Sequence, residues 1–102
     1  MSQLKLEKDI EQNVSKYARE DKGCLVLKLN VWGRIGWPDR LYLFPMGRVL
    51  FIEFKLPGEE PKRLQAFIHG KLRAFGFRVE VVDNVGQGRS VIDDFTSDDT
   101  HV

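Results

Sequence analysis

Residues 40–55 constrain this chain more than any other stretch. Arg40-Leu41-Tyr42-Leu43-Phe44 and Arg48-Val49-Leu50-Phe51-Ile52-Glu53-Phe54-Lys55 are strand-like runs joined only by Pro45-Met46-Gly47. A link of that length favours antiparallel pairing. The start of the first strand then lies beside the end of the second. Asp39, which follows Pro38, is thereby brought near Glu53 or Lys55, with the register open by a residue or two.

The remaining elements fall around this hairpin. Leu6, Ile10, Val14 and Tyr17 recur at helical spacing, which predicts an amphipathic helix over roughly residues 3–20 ending near Gly23. Residues 24–29 read as a strand, and Gly33 to Pro38 as a loop. Pro61 suits the first turn of a second helix, whose stripe of Leu64, Ile68, Leu72 and Phe75 stops at Gly76. Residues 77–82 alternate like a strand, and Val85 to Phe95 reads as a loop with a short helix. The order α-β-β-β-α-β predicts an α/β fold, a small mixed sheet flanked by helices. The last strand can run parallel to the third because a helix joins them.

With 102 residues, 42% of them apolar, the chain is expected to form one domain with a real core. A lone Cys24 excludes an internal disulfide or a cysteine zinc cage. With no apolar block of signal-peptide or membrane-span length, the expectation is a cytoplasmic protein. The formal charge of +1 conceals an asymmetry: residues 1–91 carry 16 basic and 11 acidic side chains, whereas 92–102 hold four aspartates and no Lys or Arg. The body is mildly basic, and the last eleven residues read as a solvated acidic tail.

Glu53 and Lys55 lie two apart on a strand, so they share a face, roughly 7 Å apart along the chain. Phe54 points the other way, into the core. A surface ion pair would be the plain account of Glu53 and Lys55. Asp39 changes the balance, because two converging carboxylates repel unless a positive charge joins them. Mg²⁺ or Mn²⁺ fits, since hard divalent ions take carboxylate, carbonyl and water oxygens. An ammonium held there is a poor general base; it is better suited to orienting water and neutralising charge on a phosphate. Whether one or two ions bind is left open.

Taken together, Gly36-Trp37-Pro38-Asp39-Arg40, the 48–55 strand, Gln65 and Leu72-Arg73-Ala74-Phe75-Gly76-Phe77 resemble the VRR-NUC (virus-type replication-repair nuclease) branch of the PD-(D/E)-x-K nucleases. The likeness covers about residues 4–90 and implies a restriction-endonuclease-like core. It implies Asp39, Glu53 and the Phe54 backbone carbonyl as metal ligands, Lys55 as the catalytic lysine and Gln65 as the glutamine that orders the site. It also calls for a helix carboxylate, and Glu7 or Glu11 could supply it. Glu7 lies roughly 65° from the centre of the first helix's stripe and Glu11 roughly 105°, so Glu7 is favoured, at a second metal site or through water. The resemblance further implies a homodimer that cleaves branched DNA, four-way junctions included.

Lys28, Arg34, Arg40, Lys62 and Arg63 are candidate phosphate contacts, Lys28 foremost because its strand should lie beside that of Asp39. His69 lies off the apolar stripe, and neither it nor His101 has a partner at metal-ligand spacing. Gly86-Gln87-Gly88 lacks the Lys-Ser/Thr of a phosphate loop, and no Gly-x-Ser-x-Gly occurs. Gly70, costly inside a helix, suggests a close backbone approach. The rival readings are a non-catalytic DNA-binding module of this fold and a restriction-type endonuclease reading duplex sequence.

Overall fold

A computed structural model describes residues 3–30 and 35–97, with side chains from Leu6 onward. Helix α1 (Gln3–Lys22) leads into β1 (Leu25–Lys28) and β2 (Arg40–Phe44). A single 3₁₀ turn (Pro45–Gly47) then joins β2 to β3 (Arg48–Phe54). Helix α2 (Arg63–Ala74), β4 (Arg78–Val82) and α3 (Val85–Ser97) complete the chain. The four strands lie in the order β1-β2-β3-β4, antiparallel except for the parallel pair β3-β4. The α2 crossover permits that parallel pair.

Strand alternation divides the core in two. Leu50, Ile52 and Phe54 of β3, with Tyr42 and Phe44 of β2, pack against Ile10, Val14 and Ala18 of α1 and Val91, Ile92 and Phe95 of α3. Phe51 and Val79 point to the opposite face, with Val49 and Leu41, and pack against Ile68 and Leu72 of α2. Glu53 belongs to this second, smaller side by the same alternation. Helices thus cover both faces of β3, whereas Leu25 and Leu27 of β1 stay exposed, and the charged end of β3 is buried under α2.

Four expectations need correction. Val85 to Phe95 forms one continuous helix that runs on to Ser97, so the acidic segment is not a free tail from Ile92: Ile92 and Phe95 are buried, while Asp93 and Asp94 are exposed. Its last residues, 98–102, lie outside the described ones. Gly88 lets this helix pack directly against α1, since a Cβ there would collide with the Val14 side chain. The helix gives up propensity for close approach to α1.

The apolar stripe of α2 is also rotated. Leu64 and Phe75 are exposed, whereas His69 and Leu72 are buried and Gln65 is half-buried, so the inward face is turned by about one residue. His69 is therefore a core residue. On α1, Leu6 is partly exposed, while Ser15 and Ala18 are buried. Finally, among the described residues a Cβ at Gly70 would meet nothing within 4 Å, so no close approach there accounts for that glycine. Gly36 is the tight position instead: at φ +93° its Cβ would lie 2.9 Å from the Leu64 side chain and 3.2 Å from the Leu64 carbonyl oxygen. This contact seats the Gly36–Asp39 approach against α2.

Candidate active site

The hairpin register settles the position of Asp39. Arg40 pairs with Ile52, so the residue before it falls opposite Glu53. The Asp39 carbonyl accepts from the Leu29 N–H at 2.9 Å. Its carboxylate oxygen Oδ2 accepts from the Phe54 N–H at 2.8 Å. Asp39 is therefore held by the backbones of the strands on both sides, and its other carboxylate oxygen is not committed by that bond.

Glu53 is only 3% exposed. Its Oε2 accepts from Gln65 Nε2 at 3.3 Å and lies 3.8 Å from Lys55 Nζ. Gln65 is itself anchored, since its Oε1 accepts from the Lys62 N–H at 2.8 Å at the start of α2. Glu53 Oε1 is buried and, among the described residues, has no hydrogen-bond partner. Burial pushes the Glu53 carboxyl up to about 8, with the Asp39 carboxylate acting in the same direction and the Lys55 ammonium opposing it. The site thus buries a carboxylate that its surroundings do not fully stabilise as an anion.

Glu7 and Glu11 differ in a way the sequence left open. Glu11 Oε1 accepts from the Arg40 guanidinium at 2.9 Å, and its Oε2 accepts from the Ser15 hydroxyl at 2.6 Å. The buried Tyr42 hydroxyl lies 2.8 Å from Ser15 Oγ. Since the one Ser15 proton goes to Glu11, Tyr42 donates to Ser15. Glu11 is thereby fully engaged. The Glu7 carboxyl is raised, first by burial and then by the Asp39 carboxylate, with Lys55 opposing, so it sits within the field of the same cluster.

Glu7, Lys8, Glu11, Lys28, Asp39, Arg40 and Phe54 line an open cleft of about 370 Å³. Lys28 is exposed at the rim, where β1 pairs Lys28 with Arg40 as its strand position implied. Arg40 also lines the cleft, but its guanidinium is bound to Glu11. Lys62 and Arg63 are exposed at the start of α2 and are not part of the lining. Arg34 lies outside the described residues. Lys8 is a cleft cation that sequence reasoning passed over, although its place beside Glu7 on α1 was a usable signal. Trp37 packs against the smaller core cluster.

The structure brings Asp39, Glu53, Lys55, Gln65 and the Phe54 backbone together, with Glu7 facing them from α1. A second residue passed over was His69. It is 1% exposed, with Nε2 3.7 Å from Glu53 Oε1, and that nitrogen is also unpaired. Its spacing of four from Gln65 was the available signal. Among the described residues no three His, Cys, Asp or Glu side chains gather as a metal cage. Nor is any helix among them long and apolar enough to cross a membrane.

No family model matches the sequence. "Putative nuclease p44" of Acyrthosiphon pisum secondary endosymbiont phage 1 is 38% identical over 78 residues, which cover 76% of this chain and 83% of that protein. A solved structure, "VRR_NUC domain", is similar at a TM-score of 0.79 and 31% identity, covering 86% of this chain and 95% of the other. Fold and site together define an α/β nuclease domain. The chain belongs to the VRR-NUC family.

Proposed function

We propose that this protein is a divalent-metal-dependent endodeoxyribonuclease that hydrolyses phosphodiester bonds in branched DNA, with four-way junctions as the foremost substrate and a homodimer as the working form. The observation that carries the metal reading is the placement of the Asp39 carboxylate opposite the buried Glu53 carboxylate, where its negative charge adds to the cost of ionising Glu53. Two adjacent carboxylates, one of them buried, form a donor set that suits Mg²⁺ or Mn²⁺. Asp39, Glu53 and the Phe54 carbonyl would hold the ion. Glu7 would act through water or at a second position.

A cation bound there supplies the Lewis-acid charge that polarises the phosphodiester and acidifies water. The chain's own groups do the rest. Gln65 holds Glu53 from one side, and the Phe54 N–H fixes the rotamer of Asp39. Lys55, anchored beside Glu53, offers its ammonium to the attacking water and to charge that builds on the phosphate oxygens. One P–O ester bond breaks as a bond from the water oxygen to phosphorus forms, and the leaving oxygen takes a proton. Lys8 and Lys28 line the cleft as phosphate contacts. The junction and homodimer parts of the reading follow from the family resemblance, and a two-fold dimer would present two sites to two strands.

The test is cleavage of labelled four-way, flap and linear duplex DNA with Mg²⁺, with Mn²⁺ and in EDTA. Junction cutting in either metal, absent in EDTA and weaker on linear duplex, is the expected result. Uncut junctions with folded protein in both metals contradict the enzymatic reading; preferred cutting of linear duplex contradicts the structure selectivity alone.

A further inference from the structure

We propose that His69 is a positioning residue for the Glu53 carboxylate, donating from Nε2–H to Oε1 while Gln65 holds Oε2. This rests on the reading of Glu53 as a cation ligand. Gln65 and His69 stand one turn apart on α2, so both reach the same face. The Gln65 amide contacts Oε2 at 3.3 Å, and His69 Nε2 faces Oε1 at 3.7 Å. Both of these facing atoms are buried and, among the described residues, unpaired, and their residues are 3% and 1% exposed. Two unsatisfied polar atoms side by side are an unfavourable arrangement that a shift of well under 1 Å would relieve, by closing the gap to hydrogen-bond length.

The direction of that bond follows from chemistry. With a cation bound, the carboxylate is ionised and only accepts, so the imidazole must then carry its proton on Nε2. A neutral donor at this point fixes the plane of the carboxylate without competing with the cation for it, as a lysine ammonium would. Groups that orient a metal ligand in this manner typically change metal affinity 10–100-fold, as a rough guide, when removed. The rival role, His69 as a ligand itself, is less suited to a hard cation, which favours oxygen donors.

Isothermal titration of Mn²⁺ into the full chain separates these possibilities, with circular dichroism and thermal melts of the metal-free proteins as the check on folding. His69→Leu is expected to weaken Mn²⁺ binding about tenfold or more. His69→Gln, which keeps an N–H donor, is expected to stay within about threefold of wild type, on the same scale of outer-contact effects. His69→Glu replaces the donor with an acceptor and should bind as poorly as His69→Leu. Wild-type affinity in His69→Leu overturns the proposal, as does rescue by Glu with failure of Gln, the pattern of a direct ligand. If His69→Leu does not fold, the Gln and Glu variants decide by themselves. A wild-type protein that takes up no Mn²⁺ sinks the metal reading and this inference with it, whereas wild-type binding with unchanged variants sinks this inference alone.

Discussion

Glu53→Gln is expected to remove DNA cleavage, by at least about 10²–10³-fold, while leaving the fold and junction binding intact. The substitution keeps the shape of the side chain and its contact with Gln65 but takes away the negative charge that pairs with Asp39 in holding a cation. Lys55→Ala should fall as far for a different reason: the ammonium beside Glu53 is lost, and with it the group that meets charge on the phosphate. Single-turnover cleavage measured alongside gel-shift binding of a junction separates chemistry from affinity. Full activity in either variant would remove these residues from the site.

The same carboxylate should make the metal-free protein sensitive to pH. Its pKa is raised from 4.5 to about 8, so the native state keeps a proton that the unfolded chain releases. The unfolded state therefore binds fewer protons between these values, and stability falls as pH rises through that window. Below about 4.5 both states are protonated and no penalty exists; above about 8 both are ionised and the full penalty is present. The loss is of order 1 kcal/mol per pH unit and a few kcal/mol in all. Urea unfolding in EDTA at several pH values should show Glu53→Gln gaining on wild type from pH 5 to pH 8, and saturating Mg²⁺ should restore the wild-type protein. Parallel stability profiles for the two proteins would contradict the assignment. A residue that destabilises the empty fold and is needed for cutting is the trade expected of an active site.

Much of this arrangement was legible because strand geometry is rigid. The three-residue link between Phe44 and Arg48 leaves little freedom in pairing, so counting placed Asp39 near Glu53 or Lys55 to within a residue or two, and the observed register of Arg40 with Ile52 puts it opposite Glu53. Helix faces were read less well. On α2 the large apolar residues Leu64 and Phe75 suggested one face, but packing against Phe51 and Val79 selected Ile68 and Leu72 with His69 between them. The histidine counted as polar in the pattern is buried, with Nε2 3.7 Å from Glu53 on another element, and its spacing of four from Gln65 was the one local hint. Likewise α3 looked broken because Gly86 and Gly88 lower helix propensity, whereas Gly88 is used for contact with Val14, far away in sequence. Choosing between Glu7 and Glu11 needed the third dimension as well, since only the fold reveals that Arg40 and Ser15 occupy Glu11.

The claim on which the rest depends is that Asp39 and Glu53 share a cation. Diffraction at the manganese absorption edge, from crystals of the full chain grown with Mn²⁺, tests it most directly. An anomalous peak contacting both carboxylates, absent in Glu53→Gln crystals grown in the same way, is the predicted result. Peaks only elsewhere on the protein, with Glu53 still buried and uncoordinated, would contradict it.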